Sequence, residues 1–371
     1  MFADLLPTLV LSPLLRRFAK LLEPKSDAEL EAMAQQAHLA TLAHFGKAMR
    51  LFAPIYLSNE CINACKYCGF SRGNPILRVT LSVEETVREA RYLVEEGFRN
   101  ILLVAGEHPK FVSVDYMEQC IRALTPFVPA VAVEIAPMSV EAYRPMVNAG
   151  AEGIVVFQET YHQPSYKELH PAGPKKDFAW RLNTPERAYE AGFRRIGTGA
   201  LYGLWHWREE ALANAAHLEH LLKHCWKAQI TTCFPRLRPA PGGFQPRYEF
   251  NDRDYVQLVC AVRLCFPEVG IVMSTREDIA FRDALVPLGI TMMSAGSHTD
   301  PGGYTGQGKE ALHQTVHGRR IAREEATPHD EAAGQFEISD PRTAAEVAAM
   351  LHSRGYEPVW KDWDRGILGN A

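Results

Sequence analysis

Residues 51–70, LFAPIYLSNECINACKYCGF, contain the first strand and the first functional loop that the sequence predicts. The apolar run at 51–57 is typical of a buried strand, although Pro54 weakens the prediction because proline cannot donate to a sheet ladder. The loop that follows carries Cys61, Cys65 and Cys68, at spacings of four and three residues. A strand that leads directly into a polar loop is a typical unit of an α/β protein.

The three cysteines are predicted to be metal ligands that hold three corners of an iron–sulfur cluster. Four-iron clusters usually have four cysteine ligands, so three ligands leave one iron open to another molecule. Zinc is an alternative, but a structural zinc site needs four ligands, and no cysteine follows Cys68 for fifty residues. His108 would complete such a site only if the fold brought it close. Ordinary buried cysteines are a further alternative, but Asn63, Lys66 and Tyr67 are not typical of a core.

Composition and charge exclude several classes of protein. The chain has 371 residues, of which 47% are hydrophobic and 23% charged, as in an ordinary soluble globular protein. Its formal net charge of −4 gives no electrostatic reason to expect nucleic acid or an anionic membrane as a partner. Apolar runs near the N-terminus are short and broken by Pro7 and Pro13, so they predict neither a signal peptide nor a spanning helix. Eight cysteines without a secretory signal are expected to stay reduced, which predicts a cytoplasmic protein.

Helical and strand patterns alternate along the chain after the cysteine loop. The further predicted strands are 100–105, 130–136, 153–157, 194–198, 230–234, 270–274 and 290–294. With the first strand they make eight, which predicts an α/β fold with a closed (β/α)8 barrel of the TIM type.

The predicted barrel has an extension at each end. The three regions are an N-terminal helical extension at 1–50, the barrel at 51–298 and a C-terminal extension at 299–371. Within the last region, 299–339 is rich in Gly, Pro, His and charge without a sustained period, which predicts a long loop and leaves open whether it is a lid. A helix from Asp340 and a tail with Trp360 and Trp363 are expected to complete the chain and pack on the barrel.

Polar side chains follow the predicted strands throughout the barrel. Active sites of such barrels lie where the strands end, at the C-terminal face, so a polar ring at these positions predicts an active site there. Besides the cysteines, the ring includes Glu107, Glu134, Glu159, Arg236, Arg238, Arg276 and Ser294.

The cysteine loop, with an aromatic residue before its third cysteine, resembles the motif of the radical S-adenosylmethionine (SAM) superfamily. The resemblance covers most of the chain and is strongest to the aromatic amino-acid lyase branch, in particular the tyrosine lyases of thiamine biosynthesis. A tryptophan lyase and a hydrogenase-maturation tyrosine lyase share several blocks and stay open as alternatives. The latter carries a second cysteine-bound cluster, whereas no cysteine follows Cys265 here. Among the blocks that carry the resemblance are Tyr56-Leu-Ser-Asn59, Gly106-Glu-His108, Gln158-Glu-Thr-Tyr-His162, Phe234-Pro-Arg-Leu-Arg-Pro239 and Ser274-Thr-Arg-Glu277.

This resemblance implies an activity, cofactors and partners. The activity is cleavage of the Cα–Cβ bond of L-tyrosine to 2-iminoacetate (dehydroglycine) and p-cresol, with hydrogen taken from the amino group and SAM converted to 5′-deoxyadenosine and methionine. The cofactors are a [4Fe-4S] cluster and SAM. The partners are a thiazole synthase, which would use the product for thiamine, and an electron donor of the flavodoxin or ferredoxin type.

The resemblance also assigns residues to the cofactor. Glu107 would accept hydrogen bonds from the methionine ammonium, Glu159 and Arg181 would fix the methionine part, and Tyr67 would offer its backbone carbonyl to adenine. An ammonium needs an acceptor, and a carboxylate suits the guanidinium fork. For Arg181 the alternative is a surface ion pair, since the nearby Lys175 indicates a charged region.

Three further residues are implied to bind the amino-acid substrate. Arg276 would clamp its carboxylate, while Tyr56 and Ser294 would hold its amino and carboxylate groups. Such a clamp suits radical chemistry because the hydrogen that is removed must lie close to the radical. The alternative for Arg276 is a salt bridge at the barrel rim to Glu277 or Asp278. Arg236 and Arg238 receive no role from the resemblance.

Overall fold

The strands form a closed parallel barrel and a small separate sheet. The computed structural model describes residues 11–316, 319–321 and 332–361. The strands it describes are β1 Ala48–Ser58, β2 Leu77–Arg78, β3 Asn100–Ala105, β4 Ala130–Glu134, β5 Ala151–Glu159, β6 Arg195–Ala200, β7 Gln229–Cys233, β8 Gly270–Met273, β9 Met292–Ser294, β10 His313–Val316, β11 Arg319–Ile321 and β12 Glu357–Val359. Strands β1 and β3 to β9 pair in parallel in that order, and the ring closes where β1 pairs with β9. The predicted eight-stranded barrel is therefore confirmed.

Helices surround the barrel. Those in the described residues are α1 Pro13–Leu22, α2 Asp27–Phe45, α3 Val83–Glu95, α4 Val114–Leu124, α5 Val140–Ala149, α6 Gln163–Leu169, α7 Phe178–Leu182, α8 Thr184–Ala191, α9 Trp207–His224, α10 Asp252–Cys265, α11 Ile279–Leu285 and α12 Ala344–Ser353. The helices α2, α3 and α12 each begin with a capping box, from Ser26, Ser82 and Thr343 respectively. Such boxes satisfy backbone N–H groups that have no partner within the helix.

Pro54 lies inside β1 and does not interrupt it. In the register between β1 and β9, Phe52 is opposite Ser294, where β9 ends. Pro54 is therefore paired only on the other side of β1, opposite Leu102 of β3. Because β9 has already ended beside Pro54, no hydrogen bond between β1 and β9 is lost at this position, and a residue without an N–H is tolerated.

The C-terminal region has more regular structure than the sequence predicted. The expectation of a long loop at 299–339 is wrong at 313–316 and 319–321, where β10 and β11 form a small antiparallel sheet with β2. Strand β12 was also missed, and it pairs in parallel with the start of β1. Trp360 packs its ring on Phe98 at a centroid distance of 5.4 Å, whereas Trp363 lies outside the described residues.

The N-terminal helices pack on the outside of the barrel. Phe18 of α1 meets Phe266 edge to face, with ring centroids 6.0 Å apart. Within the described ranges, no helix combines the length and the apolar character that a membrane span requires. The division of the chain at residues 50 and 298 stays a prediction.

Candidate active site

A cavity opens at the end of the barrel where the parallel strands terminate. It contains about 1490 Å³ of empty space, with the solvent at its mouth included. Of the predicted site residues, it is lined by Tyr56, Tyr67, Cys68, Glu159, Arg276 and Ser294. The other predicted residues, Cys61, Cys65, Glu107 and Arg181, are not among the residues that line it.

The cysteine loop follows β1 directly, and its thiols are free. Cys65 is buried, whereas Cys61 and Cys68 are partly exposed. Asn63 Nδ2 lies 3.7 Å from the sulfur of Cys61, and Gln335 Nε2 lies 3.9 Å from the sulfur of Cys68. Amide N–H groups directed at sulfur are the hydrogen bonds that tune cysteine-bound clusters.

The three cysteines of the loop fit an iron–sulfur cluster better than a zinc ion. Among the described residues, no three His, Cys, Asp or Glu side chains are arranged to hold a single ion. The proposed fourth zinc ligand, His108, instead packs its ring on Phe111, with centroids 4.6 Å apart. Each cysteine of a cluster binds a different iron, so its thiols need not converge on one point. Burial raises the pKa of the Cys65 thiol to about 12, and metal binding would remove its proton.

Glu107 is tied to the cysteine loop. Its carboxylate accepts a hydrogen bond from Asn63 Nδ2 at 2.6 Å, and its backbone oxygen accepts one from the N–H of Ile62 at 2.8 Å. The predicted cofactor residue after β3 therefore lies beside the predicted metal ligands after β1.

Glu159 forms a buried charge cluster with two cations. Its carboxylate accepts from Lys175 Nζ at 2.6 Å and from Arg181 at 3.1 Å. Burial raises the pKa of Glu159, but the two cations outweigh this and lower it to about 2. Because Arg181 is only 8% exposed, the alternative of a surface ion pair is wrong.

The backbone at Glu159 is unusual. Its φ of 72° makes it the single non-glycine residue with a positive φ in the part of the chain that the structure describes. The pairing between β5 and β6 also shifts register between Phe157 and Glu159. Strained backbone of this kind is concentrated at functional sites.

Tyr67 is fixed by a neutral histidine. The ring nitrogen Nδ1 of His170 lies 2.7 Å from the carbonyl oxygen of Tyr166 and must donate, because a carbonyl only accepts. The other nitrogen, Nε2, therefore accepts from the Tyr67 hydroxyl at 2.7 Å. Burial and the charge of Lys175 lower the pKa of His170 to about 3, so the ring stays neutral.

Arg276 is the open cation of the cavity. Its guanidinium carbon lies 3.3 Å from the ring centroid of Phe336, and one N–H donates to the carbonyl of Arg236 at 3.4 Å. No carboxylate of the described residues lies within ion-pair distance of it. Its predicted alternative partners are engaged elsewhere, because Glu277 accepts from Arg236 and Arg238 and Asp278 caps α11. The rim salt bridge is therefore wrong for Arg276.

Tyr56 and Ser294 lie at the same end of the cavity. The hydroxyl of Tyr56 donates to Gln335 Oε1 at 3.0 Å, and the hydroxyl of Ser294 accepts from the N–H of Thr275 at 3.2 Å. Gln335 and Phe336 belong to the C-terminal region and line the cavity. That region therefore supplies part of the site.

Glu134, at the end of β4, was not assigned a role from the sequence. Its carboxyl lines the cavity and makes no hydrogen bond or ion pair with a described residue. Burial, and then the charge of Glu159, raise its pKa to about 7. Its position at a strand end was the available signal, but no sequence block of the resemblance contained it. Other residues missed at the site are Asn63, Lys175, Gln335 and Phe336.

Comparison with known families gives two matches along the chain. Residues 55–218 match the model of the radical SAM superfamily, and residues 233–357 match that of the Biotin and Thiamin Synthesis associated domain. Enzymes of this superfamily use a [4Fe-4S] cluster and SAM, in agreement with the cysteine loop.

Individual proteins match over nearly the whole chain. The 2-iminoacetate synthases of Escherichia coli and Salmonella typhimurium are each 40% identical over 352 residues, which is 95% of this chain and 87% of theirs. The structure of the FeFe-hydrogenase maturase HydG from Carboxydothermus hydrogenoformans superposes with a TM-score of 0.83 at 35% identity, and the match covers 97% of this chain and 78% of that one. The chain therefore belongs to the 2-iminoacetate synthase family of radical SAM enzymes.

Proposed function

We propose that this protein is a lyase that cleaves the Cα–Cβ bond of L-tyrosine, yielding 2-iminoacetate and p-cresol for thiazole formation in thiamine biosynthesis. SAM is consumed to 5′-deoxyadenosine and methionine. The 40% identity to the two 2-iminoacetate synthases supports the reaction. The observation that supports the substrate class is the half-buried Arg276, which lines the cavity without a carboxylate partner among the described residues.

Arg276 is suited to bind the carboxylate of an amino acid. A cation that is partly removed from water and has no counter-charge is unfavourable, so a ligand carboxylate that reaches Arg276 would gain a charge-assisted pair. Phe336 covers one face of the guanidinium, and one N–H donates to the carbonyl of Arg236, so a ligand carboxylate would bind through the other N–H groups at the edge. Tyr56 and Ser294, which line the same cavity, would orient the rest of the amino-acid head group.

The predicted cofactor residues lie mainly at the ends of β1, β3 and β5. Cys61, Cys65 and Cys68 would hold three irons of the cluster and leave the fourth for SAM. When bound, the cluster and SAM together would supply a 5′-deoxyadenosyl radical, which removes a hydrogen atom from the substrate amino group. The carboxylate and the cations of the Glu159 cluster match the amino and carboxylate groups of the methionine part in charge. Three other residues would then have these roles: Glu107 accepts from the methionine ammonium, Arg181 binds its carboxylate, and Tyr67 offers its backbone oxygen to adenine.

The decisive experiment is anaerobic reconstitution with iron and sulfide, followed by dithionite, SAM and L-tyrosine. We expect p-cresol and 5′-deoxyadenosine to appear together in mass spectrometry. Formation of 5′-deoxyadenosine without p-cresol, but with loss of L-tryptophan when it replaces tyrosine, would assign the other substrate of the branch. The absence of both products from protein with a full cluster would overturn the proposal.

Two protein partners belong to this proposal. Free 2-iminoacetate hydrolyses to glyoxylate and ammonia, so direct delivery to a thiazole synthase would protect it. Adding that synthase should lower the glyoxylate formed per p-cresol, and an unchanged ratio would contradict delivery. Reduced flavodoxin or ferredoxin should replace dithionite as electron donor. The cytoplasm is the proposed compartment, because it keeps the cluster cysteines reduced.

A further inference from the structure

Glu134 and Arg276 face each other across the cavity. In the ring order of the barrel, β4 and β8 are separated by three strands on either side, so they lie opposite each other. Glu134 is the last residue of β4, and Arg276 follows β8 by three residues. Both side chains line the cavity.

The carboxyl of Glu134 has no partner among the described residues, although three cations share its surroundings. Lys175 and Arg181 are both bonded to Glu159, and Arg276 is the only one of the three without a carboxylate partner in the described chain. The cavity therefore presents one open carboxyl and one open guanidinium. This pair is complementary to a zwitterionic amino acid, whose carboxylate would bind Arg276 and whose ammonium would bind Glu134.

The chemistry of the amino group requires a base. An ammonium nitrogen has no lone pair with which to stabilise a nitrogen-centred radical, so the amino acid must lose a proton before its N–H hydrogen atom is removed. We propose that Glu134 is the residue that binds the substrate ammonium and accepts this proton, an inference that rests on the proposed function. The N–H bond breaks, its electron pair stays on nitrogen, and an O–H bond forms on the carboxyl. No electron is gained or lost in the step.

The surroundings of Glu134 support this role. Burial and the charge of Glu159 raise its pKa to about 7, far above the ordinary value of a glutamate and therefore closer to that of an ammonium. The base must be unprotonated to act, so kcat/KM should rise with pH through about 7 and level off above it. The titratable and charged groups that face Glu134 are Tyr56, Glu159, Lys175, Arg181, Cys233 and Arg276.

Binding measurements test the proposal independently of turnover. Glu134→Gln keeps the shape and removes the charge, so L-tyrosine should bind about 10-fold or more weakly at pH 8. The deamino analogue 3-(4-hydroxyphenyl)propionate, which lacks the ammonium, should bind the variant as well as the wild type. Glu190→Gln on the exposed side of α8 is the matched control and should change neither affinity. Equal weakening of both ligands would overturn the proposal.

Turnover provides the second readout. In Glu134→Gln, p-cresol formation should fall by about 100-fold or more, as expected for loss of a general base, while iron content stays at the wild-type level. Glu134→Asp should recover part of the rate and shift the pH at which kcat/KM rises. A variant that forms p-cresol within about threefold of the wild-type rate, with the same pH dependence, would exclude Glu134 as the base. Wild-type protein that forms no p-cresol would refute the proposed function instead, whatever the variant binds.

Discussion

Some charged residues at the barrel mouth form ion pairs with one another, and others have no ion-pair partner among the described residues. Arg236 and Arg238 both donate to Glu277, which is almost completely buried, so they stabilise the rim. Arg276 has no such carboxylate among the described residues. Charges that are removed from water are usually paired. Arg276, which is not paired with a described carboxylate, is therefore a candidate for ligand binding.

Replacement of Arg276 tests this division. Arg276→Ala should raise the KM for L-tyrosine by about 30-fold or more, since loss of one partner of a buried charge pair costs about 2 kcal/mol or more. Iron content and SAM binding should not change, because in the described chain Arg276 makes no hydrogen bond or ion pair with the predicted cluster cysteines or Glu159. The measurement is steady-state p-cresol formation over a range of tyrosine concentrations.

Arg253→Ala is the matched control, because this arginine lies at the surface in a pair with Asp27. Its KM should equal that of the wild type. An Arg276→Ala enzyme with wild-type KM would remove Arg276 from the substrate site.

The predicted cluster ligands can be tested by comparing the iron content of two cysteine variants. Cys65→Ala should abolish cluster assembly, since two cysteines cannot replace three, and iron analysis after reconstitution measures this. Cys120→Ala removes a thiol that is just as buried but lies in α4, and it should retain iron at the wild-type level. Full iron loading of Cys65→Ala would refute the ligand assignment.

Residue identities at the site were predictable to different degrees. The cysteines were predicted as ligands because all three lie in one short loop, where their spacing is informative. Gln335 was missed because it reaches the site from a distant part of the chain, and only the fold shows that it does. Lys175 was noted only as a sign of a charged region, since the sequence does not show that it pairs with Glu159. For the same reason, the sequence could not decide between Arg181 as a surface residue and its observed burial against Glu159.

At the scale of elements, the site depends on close contact between loops after neighbouring strands. Gly106 follows β3, and a Cβ at this position would lie 2.3 Å from the backbone oxygen of Glu60 and 3.3 Å from the Cβ of Cys61. A side chain there would push the two loops apart. The contact explains why the residue before Glu107 is a glycine, whereas Ala105 is accepted one position earlier.

Gly106→Ala should therefore disturb cluster assembly. We expect the variant to be destabilised by about 1–3 kcal/mol through overpacking and to bind less iron after reconstitution. Gly73→Ala is the control, because a Cβ at Gly73 would meet no atom within 4 Å. Denaturant unfolding and iron analysis of both variants decide the question, and equal iron in the two would contradict the proposed crowding.

The strands show which elements a sequence pattern can find. All eight barrel strands were predicted, because buried apolar runs alternate with helical stretches along the chain. Strands β2, β10, β11 and β12 were missed because runs of two to four residues are too short to show a period. Pairing with distant partners, such as β12 with the start of β1, determines these strands, and local sequence does not show it.

At the scale of the whole molecule, the C-terminal region joins the loop after β1 to the loop after β8. Gln335 accepts the N–H of Gly69 after the cysteines at 3.2 Å, and the backbone oxygen of Thr275 accepts from Ser339 and Asp340. The residues between these contacts include Phe336, which stacks on Arg276. The predicted cofactor loop and the predicted substrate residue Arg276 are therefore linked through a segment more than fifty residues further along the chain.

Asp340 anchors this segment. Its carboxylate pairs with Arg282 of α11, both side chains being fully buried, and accepts from Arg342 at 2.7 Å. Removal of one partner of a buried ion pair leaves an uncompensated charge, so Asp340→Ala should lower the free energy of unfolding by about 3–5 kcal/mol at pH 7. Chemical denaturation of the cluster-free protein, followed by circular dichroism, measures the loss. Asp27→Ala, at an exposed ion pair, should leave the unfolding curve unchanged.

The pH dependence identifies the charge as the cause. Burial raises the pKa of Asp340, but the hydrogen bond from Arg342 and the charge of Arg282 outweigh it, so the pKa is lowered in the folded state. A group with a lowered pKa contributes its stability above the unfolded value of about 3.9 and loses it as the pH falls through the folded value. The difference between wild type and Asp340→Ala should therefore be constant from pH 7 to about 5 and shrink below about pH 4. A difference that stays constant at low pH would show that packing, and not the ion pair, holds the C-terminal region over the site.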